Sequence, residues 1–178
     1  LFVLMMVLVT ALSLAACGGD QNSTTSESID LVEVKGNGLS IRVPADFKYA
    51  KTDENIGSMI FANEEKTAVI VLGTLTEDSI TSADITDDVL LGALATDSGL
   101  SDGSLESSRT IKHDGGTSVV GFGKGKLENG TVMNSVIQYF FPADDSGYYC
   151  IAYLYGVDAG SSLEDTIEQV VSNVKTAK

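Results

Sequence analysis

Cysteine is scarce in this sequence, and its scarcity excludes a fold that depends on disulfide bonds. The 178 residues include only two cysteines, Cys17 and Cys150. Small secreted domains that rely on disulfides carry several pairs. The first cysteine lies in a segment that predicts its modification, described below, which leaves the second without a partner. The domain must therefore fold around a hydrophobic core, and 43% of the residues are hydrophobic.

Histidine is scarcer still, which limits the kinds of catalysis open to the chain. The single histidine, His113, lies in residues 112–116, where an Asp-Gly-Gly sequence is typical of a turn. Cys150 lies in an apolar and aromatic run that predicts a buried strand. A cysteine or serine nucleophile needs a base beside it, and the sequence has no Gly-x-Ser-x-Gly motif. We therefore expect no catalytic pair of Cys150 and His113, and we assign no catalytic residue.

Basic residues are also few. Eleven lysines and arginines oppose 25 aspartates and glutamates, which gives a formal net charge of −14. Such a surface repels phosphate backbones and anionic headgroups, so we expect no nucleic-acid partner. No acidic cluster has the residue spacing of a calcium-binding loop, so we expect no metal site and no cofactor. The clusters are Asp84, Asp87 and Asp88; Asp144 and Asp145; and Glu64 and Glu65.

Glycine is concentrated in residues 121–126, where three glycines alternate with larger residues. A phosphate-binding loop needs such glycines between a strand and a helix, ending in Gly-Lys-Ser or Gly-Lys-Thr. Here Leu127 follows Lys126, and the Asn-Gly at residues 129–130 predicts a hairpin. We interpret the glycines as marks of a bulge or of close backbone approach within a strand.

The N-terminal segment predicts where the protein is located. Residues 1–14 are apolar except for Thr10 and Ser13, a run that is short for a transmembrane helix and typical of a signal peptide. The run ends in Leu-Ala-Ala-Cys, which resembles the lipobox of bacterial lipoproteins. The resemblance implies cleavage between Ala16 and Cys17 and a diacylglyceryl group on the Cys17 thiol. The alternatives are an uncleaved membrane anchor, or a secretory signal with an incidental cysteine.

This resemblance divides the chain into three parts. Residues 1–16 are a signal peptide, and because Leu1 is neither a methionine nor part of a basic segment, we expect further residues before it. Residues 17–28 are the lipidated cysteine and a polar, flexible tether. Residues 29–178 are one globular domain by length and composition. The predicted location is the cell membrane, with the domain lipid-anchored and facing outside the cytoplasm.

Hydrophobic periodicity predicts an α+β domain, with a central antiparallel sheet of about six to seven strands and helices packed on it. The predicted strands are residues 38–44, 58–62, 67–75 (a central strand covered on both faces), 105–112, 117–126, 131–141 and 147–155. A first helix is capped by Thr81 or Ser82, buries Ile85, Val89 and Ala93, and ends near Gly99. A second helix begins with a capping box formed by Ser161 and Glu164.

Residues 38–47 carry a second resemblance. The segment is an apolar strand followed by Pro44 and then by the aromatic Phe47. Together with the final aromatic strand and helix of the chain, this order is similar to PsbP-like domains. The resemblance implies an α/β/α sandwich around the antiparallel sheet. It also implies an accessory or assembly factor more often than an enzyme, although a fold does not determine a function.

Aromatic residues are concentrated on the last two predicted strands. Strand alternation directs some of them into the core, and the others are candidates for a binding surface, with Tyr148, Tyr153 and Tyr155 the ligand-binding candidates. Two functions remain. The first is a non-catalytic binding or accessory domain for an envelope protein or a small ligand. The alternative is a surface-tethered hydrolase of cell-wall or extracellular polymer, for which two carboxylates would face each other across a cleft.

Overall fold

A computed structural model describes residues 30–52, 57–157 and 162–177. The predicted signal peptide, the lipidation site Cys17, the tether and the capping residue Ser161 lie outside the described residues. No helix among the described residues has the length and hydrophobicity needed to cross a membrane.

Within residues 30–52, 57–157 and 162–177, seven antiparallel strands form the main sheet. They are β3 (Lys48–Thr52), β4 (Met59–Ala62), β5 (Ala68–Leu72), β6 (Ser101–His113), β7 (Gly116–Lys126), β8 (Val132–Pro142) and β9 (Tyr149–Gly156). Their order across the sheet is β3-β4-β5-β9-β8-β7-β6. The last four strands form a meander, and every residue of β5 is buried. The predicted central antiparallel sheet is therefore confirmed.

A second, three-stranded sheet was not expected from the sequence. It consists of β1 (Leu31–Gly36), β2 (Leu39–Pro44) and β10 (Lys175–Thr176), in the order β1-β2-β10. The turn between β1 and β2 is Asn37-Gly38, with φ angles of 52° and 81°. Such a pair of left-handed residues is typical of a tight hairpin.

Two helices cover opposite faces of the main sheet. Helix α1 (Asp87–Thr96) packs on the face that carries Val69, Ile137 and Leu154, here called the α1 face. Helix α2 (Ser162–Ser172), together with β2, packs on the face that carries Ile70, Phe140 and Tyr153, here called the α2 face. The predicted α/β/α sandwich is confirmed.

Strand β8, which matches the predicted strand at residues 131–141, alternates between the two faces of the sheet. Met133, Ile137 and Tyr139 lie on the α1 face. Val136 and Phe140 lie on the α2 face. Successive side chains of a strand point to opposite faces, so the sequence pattern alone fixes which residues each helix covers.

The predicted start of α1 is wrong. The helix begins at Asp87, and the side chain of Thr86 caps it by accepting a hydrogen bond from Val89 N. Thr81 instead forms a turn in which its N–H and its hydroxyl both donate to Asp84, at 2.7 and 2.8 Å. Such local bonds compete with the helix for the same backbone groups.

The predicted buried stripe of α1 is partly wrong: Ala93 is buried, and so is Ile85, which precedes the helix, but Val89 is not. Leu90, Ala93 and Leu94 are its buried residues, and Val89 is 39% exposed. The predicted end is confirmed, since the helix stops at Thr96 and Gly99 follows with a φ of 62°.

The glycines of residues 121–126 allow α1 to approach the sheet closely. A Cβ on Gly123 would lie 2.5 Å from Ser104 O and 2.7 Å from Leu94 Cδ1, and a Cβ on Gly121 would lie 3.1 Å from Leu90 Cβ. The segment is the interior of β7 and does not lead into a helix. The interpretation of these glycines as positions of close approach is confirmed.

Candidate functional site

A cleft of about 480 Å³ opens on the α2 face, between α2 and strands β6 to β9. We call it the α2 cleft. The residues that characterise it are Glu106, Arg109, Phe122, Tyr155, Glu164, Asp165 and Glu168. They come from four separate elements of the fold, so the cleft exists only once the sheet and α2 have assembled.

Two aromatic side chains belong to the wall of the cleft. Phe122 of β7 pairs across the sheet with Val136, whose side chain lies in the core beneath α2. Tyr155 of β9 pairs with Asn134 and is only 6% exposed. Both residues occupy strand positions on the α2 face, which is why their rings reach the same recess.

The hydroxyl group of Tyr155 is held in its protonated form. Burial raises its pKa to about 12, and the neighbouring carboxylates of Glu164 and Glu106 add to this effect. Among the described residues, this hydroxyl makes no hydrogen bond. It can therefore both donate and accept a hydrogen bond at neutral pH.

The cleft already holds one cationic group. The guanidinium carbon of Arg109 lies 4.6 Å from the centroid of the Phe122 ring. Its Nη2 atom also donates to Glu168 Oε1 at 3.0 Å. A guanidinium group is thus bound between an aromatic face and a carboxylate, which is a favourable arrangement for a cation.

The charge of the cleft is negative overall. Among the described residues, four carboxylates line it, together with the guanidinium of Arg109. Glu164 and Asp165 lie in the first turn of α2, where the helix dipole favours acidic residues. Lys124 neutralises part of the charge by pairing with Glu106 at 2.5 Å. The remaining charge favours a positively charged ligand over an anion.

The structure separates the three candidate tyrosines. Tyr155 lines the α2 cleft. Tyr153 is fully buried, and its hydroxyl donates to Gln138 Oε1 at 2.6 Å. Tyr148 lies on the α1 face, with its ring centroid 5.7 Å from that of Tyr139 and 5.8 Å from that of Phe141. The three tyrosines therefore do not form one site.

Sequence reasoning missed most of the α2 cleft. It did not identify Arg109, Phe122 or the acidic residues of α2 as site residues. A usable signal was present in β7, where Phe122 stands between two glycines at a position that alternation assigns to the α2 face. Arg109 gave no such signal, because it lies in a strand whose residues are mostly exposed.

Cys150 and His113 lie on opposite faces of the sheet. The Cys150 thiol donates to Asp97 Oδ2 at 3.5 Å on the α1 face. The His113 ring stacks on Phe140, with 5.4 Å between the ring centroids, on the α2 face. Burial raises the pKa of the Cys150 thiol and lowers the pKa of His113. The thiol and the imidazole are not brought together.

His113 does contact a serine, but this serine cannot reach a substrate. His113 Nε2 lies 3.0 Å from Ser118 Oγ. Ser118 is completely buried, and its oxygen also accepts a hydrogen bond from Gln138 Nε2 at 2.8 Å. Ser118 and Gln138 are completely buried, and the half-buried His113 joins them in a network that connects the sheet with α2.

In the parts of the chain that the structure describes, no group of three or more His, Cys, Asp or Glu residues is arranged to hold a metal ion. The predicted cluster around Asp84 has a structural role, because Asp84 accepts hydrogen bonds from the backbone and side chain of Thr81.

Comparison with known proteins identifies the fold. No protein-family model matches the chain, and no curated protein matches it in sequence. Among solved structures, the Ran-binding protein Mog1p of Saccharomyces cerevisiae is similar, with a TM-score of 0.59 and 9% identity over 84% of this chain and 96% of that chain. Cyanobacterial PsbP (CyanoP) from Synechocystis sp. PCC 6803 is also similar, with a TM-score of 0.60 and 10% identity over 89% of this chain and 98% of that chain. At such low identity these similarities show the fold alone, and they confirm the predicted PsbP-like sandwich.

Proposed function

We propose that this protein is a lipid-anchored, extracytoplasmic domain that acts by binding an envelope protein or a small ligand. The observation that carries this proposal is the α2 cleft, a preformed recess with aromatic, hydroxyl and carboxylate groups on a rigid sheet. Ligand-binding sites commonly combine an aromatic wall with a few polar groups whose positions fix the orientation of the ligand.

The placement of the reactive groups favours binding over catalysis. Cys150 and His113 lie on opposite faces of the sheet. Ser118, the serine beside His113, is completely buried. Burial also raises the pKa of Asp97, but this carboxyl lies on the α1 face beside Cys150, away from the α2 cleft. Neither Cys150 nor His113 lines the α2 cleft.

The fold agrees with a binding role. The similar yeast structure is that of a Ran-binding protein, so a domain of this fold serves in protein recognition there. Fold similarity alone does not license a function, and we use it only as support for the geometry of the cleft.

The anchor rests on the Leu-Ala-Ala-Cys sequence at residues 14–17. Two acyl chains hold a protein stably at a membrane, whereas one does so only marginally. A net charge of −14 repels anionic headgroups, so the lipid and not a basic patch must supply the affinity for the membrane. A flexible tether of about ten residues spans roughly 15–20 Å, which keeps the domain close to the bilayer.

Site-specific photo-crosslinking in living cells tests the binding role. A photoreactive amino acid replaces Asp165 at the α2 cleft in one variant and Asp88 on α1 in the control variant; both positions are exposed and both changes remove one negative charge. We expect defined adducts from position 165 and none from position 88. The same adducts from both positions, or none from position 165, would refute the binding of a protein partner at the cleft.

A second assay separates binding from hydrolysis. The purified protein is incubated with a panel of glycans and peptides, and the products are analysed by mass spectrometry. We expect no turnover. Turnover that disappears when Glu164 or Glu168 is replaced by glutamine would establish the hydrolase and overturn the non-catalytic role.

A further inference from the structure

A continuous chain of hydrogen bonds connects His113, at the edge of the sheet, with helix α2. His113 Nε2 lies 3.0 Å from Ser118 Oγ. The side-chain nitrogen of Gln138 donates to Ser118 Oγ and to Val171 O, at 2.8 Å in each case. The side-chain oxygen of Gln138 accepts from the Tyr153 hydroxyl at 2.6 Å. The side chains of Ser118, Gln138 and Tyr153 are completely buried, so each polar atom depends on the others for its partner.

The carbonyl group of Val171 sets the direction of the hydrogen bonds in this chain. A carbonyl oxygen only accepts, so Gln138 must turn its side-chain nitrogen toward Val171. The same nitrogen faces Ser118, whose oxygen therefore accepts from Gln138. Among the described residues, His113 Nε2 is the acceptor within reach of the Ser118 hydroxyl hydrogen. The His113 ring is therefore neutral, with Nε2 unprotonated and the hydrogen on Nδ1.

The surroundings of His113 also favour the neutral ring. Burial lowers the pKa of His113 from its usual 6.5, and the neighbouring carboxylate of Asp114 opposes this effect only in part. Tyr153, the other titratable group in the chain of bonds, stays protonated because burial raises its pKa. The remaining charged residues around this end of β6 are Lys112, Asp78, Asp145 and Lys175.

A proton added at Nε2 of His113 conflicts with this arrangement. Ser118 Oγ would then accept from both His113 and Gln138, and its own hydroxyl hydrogen would be buried without an acceptor, which is unfavourable. Rotation of the Gln138 amide by half a turn would supply an acceptor, because its oxygen would then face Ser118. The same rotation would direct that oxygen at Val171 O, and two acceptors cannot form a hydrogen bond. Protonation of His113 is therefore relieved at the expense of the bond to α2.

This bond holds the C-terminal end of α2. Val171 lies in the last turn of the helix, where the final carbonyl groups have no partner within the helix. Gln138 supplies the partner from the sheet. Three residues after the helix ends, the chain enters β10, which pairs with β2. Loss of the bond therefore loosens the end of α2 and the segment that leads into β10.

We propose that His113 is a pH-sensitive switch whose protonation releases the last turn of α2 from the sheet. The link is intact above pH 6.5, the usual pKa of histidine in an unfolded chain, and it weakens as the pH falls below that value. Since α2 forms one wall of the α2 cleft, the switch makes the position of this wall depend on pH. The inference concerns the fold and does not rest on the proposed binding function.

Nuclear magnetic resonance of the full chain, labelled with ¹⁵N and held in neutral detergent micelles, tests the proposal. His113 is the single histidine, so in a protein without a histidine tag its ring signals need no assignment. At pH 7 we expect an unprotonated Nε2 and a protonated Nδ1, the reverse of the tautomer that free histidine favours in water. As the pH falls from 7 to about 5, we expect the ring, the Gln138 side-chain amide and the Val171 backbone amide to shift with one midpoint below 6.5.

Hydrogen exchange measures the loosening of α2 directly. After correction for the intrinsic effect of pH, the amides of the last turn of α2 should exchange about fivefold faster at pH 5 than at pH 7, the effect of one neutral hydrogen bond. The amides of Leu90 and Leu91, in the middle of α1, should keep their corrected rates. Equal corrected rates at the two pH values in the last turn of α2 would overturn the proposal.

Two variants and one control make the test specific. Ser118→Ala removes the connection but leaves the histidine, and His113→Phe removes the titrating group but keeps a ring against Phe140. In both variants we expect the pH-dependent shift at Val171 to disappear. Ser107→Ala makes the same change at an exposed position of β6 and should behave like the wild type.

The wild-type protein alone decides the inference if a variant does not fold. A protonated Nε2 at pH 7, or a ring titration that leaves the Val171 amide unmoved, would overturn the switch. Since no ligand is present in these measurements, their failure leaves the binding role standing, and that role is tested separately by crosslinking from position 165.

Discussion

Gln138 ties the centre of the sheet to the last turn of α2 through the backbone of Val171. Its side-chain nitrogen donates to Val171 O at 2.8 Å and to Ser118 Oγ at 2.8 Å, while its side-chain oxygen accepts from the Tyr153 hydroxyl at 2.6 Å. All of these side chains are completely buried. Since α2 forms one wall of the cleft, the position of the cleft depends on this buried network.

Replacement of Gln138 by leucine should destabilise the protein strongly. The change leaves the Val171 carbonyl and the Tyr153 hydroxyl buried without their partner, and each such group costs about 1–3 kcal/mol. We expect the free energy of unfolding to fall by about 3 kcal/mol, measured by urea denaturation with circular dichroism. The matched control is Gln169→Leu on the exposed side of α2. Equal stability of the two variants would contradict the structural role of Gln138.

The close packing of α1 on β7 predicts opposite effects of alanine at two glycines. Gly123→Ala places a Cβ against Ser104 O and Leu94 Cδ1, so we expect a loss of about 1–3 kcal/mol in unfolding free energy. Gly92→Ala, in the middle of α1, meets no atom within 4 Å and should stabilise the helix by about 0.5–1 kcal/mol. Thermal unfolding of the two variants beside the wild type provides the measurement. A stabilising Gly123→Ala would show that α1 does not lie against this strand.

Asp97 predicts a pH dependence of stability. Burial raises its pKa above the usual 3.8, although hydrogen bonds from Cys150 and Thr96 oppose the shift. The residue also caps the C-terminus of α1, where the helix dipole is unfavourable for a carboxylate. The folded state thus holds the proton more tightly than the unfolded state. Its contribution to stability is present below pH 3.8 and is lost as the pH rises through the raised pKa.

Asp97→Asn should therefore be more stable than the wild type at pH 7, by about 0.5–1 kcal/mol. The difference should vanish below about pH 3, where both states of the wild type are protonated. Asp88→Asn is the control with the opposite sign, because Asp88 lies in the first turn of α1 and its charge is stabilising there. Chemical denaturation at a series of pH values measures both. If the difference in unfolding free energy between Asp97→Asn and the wild type stayed the same in acid, ionisation of Asp97 would not be the cause of that difference.

Local sequence patterns predicted the sheet and its two faces well. The alternation in β8 and the continuous apolar run of β5 report directly on burial, because a strand has a period of two residues. The C-terminal end of α1 could be predicted from Gly99, because a glycine with a positive φ commonly follows the last turn of a helix. In α2, the apolar residues Leu163, Ile167 and Val170 recur at helical spacing, and all three are buried.

The elements that sequence reasoning missed depend on long-range contacts. Strand β10 has only two residues, and it forms because it pairs with β2. In this pairing Lys175 lies opposite Ser40, which is 135 residues earlier in the chain. The start of α1 moved because Thr81 bonds Asp84 in a turn, a competition that helix propensity does not reveal.

The α2 cleft was beyond the reach of local patterns for a similar reason. Arg109 and Glu168 are 59 residues apart in the chain. Phe122 comes close to Arg109 only because β6 pairs with β7. Of the three tyrosines proposed from the sequence, alternation placed Tyr153 and Tyr155 on the same face. It could not show that the Tyr153 hydroxyl bonds to Gln138 within the core while Tyr155 lines the α2 cleft.

Detergent phase separation combined with mass spectrometry tests the membrane attachment on which the proposed function depends. The protein is expressed from its native gene in a lipoprotein-processing bacterium, extracted with Triton X-114, and compared with a Cys17→Ala variant. We predict that the wild type enters the detergent phase, that its mature N-terminal residue is Cys17 carrying a diacylglyceryl thioether, and that the variant loses both properties. A wild-type protein that stays in the aqueous phase, or that carries an unmodified Cys17 thiol, would contradict the account.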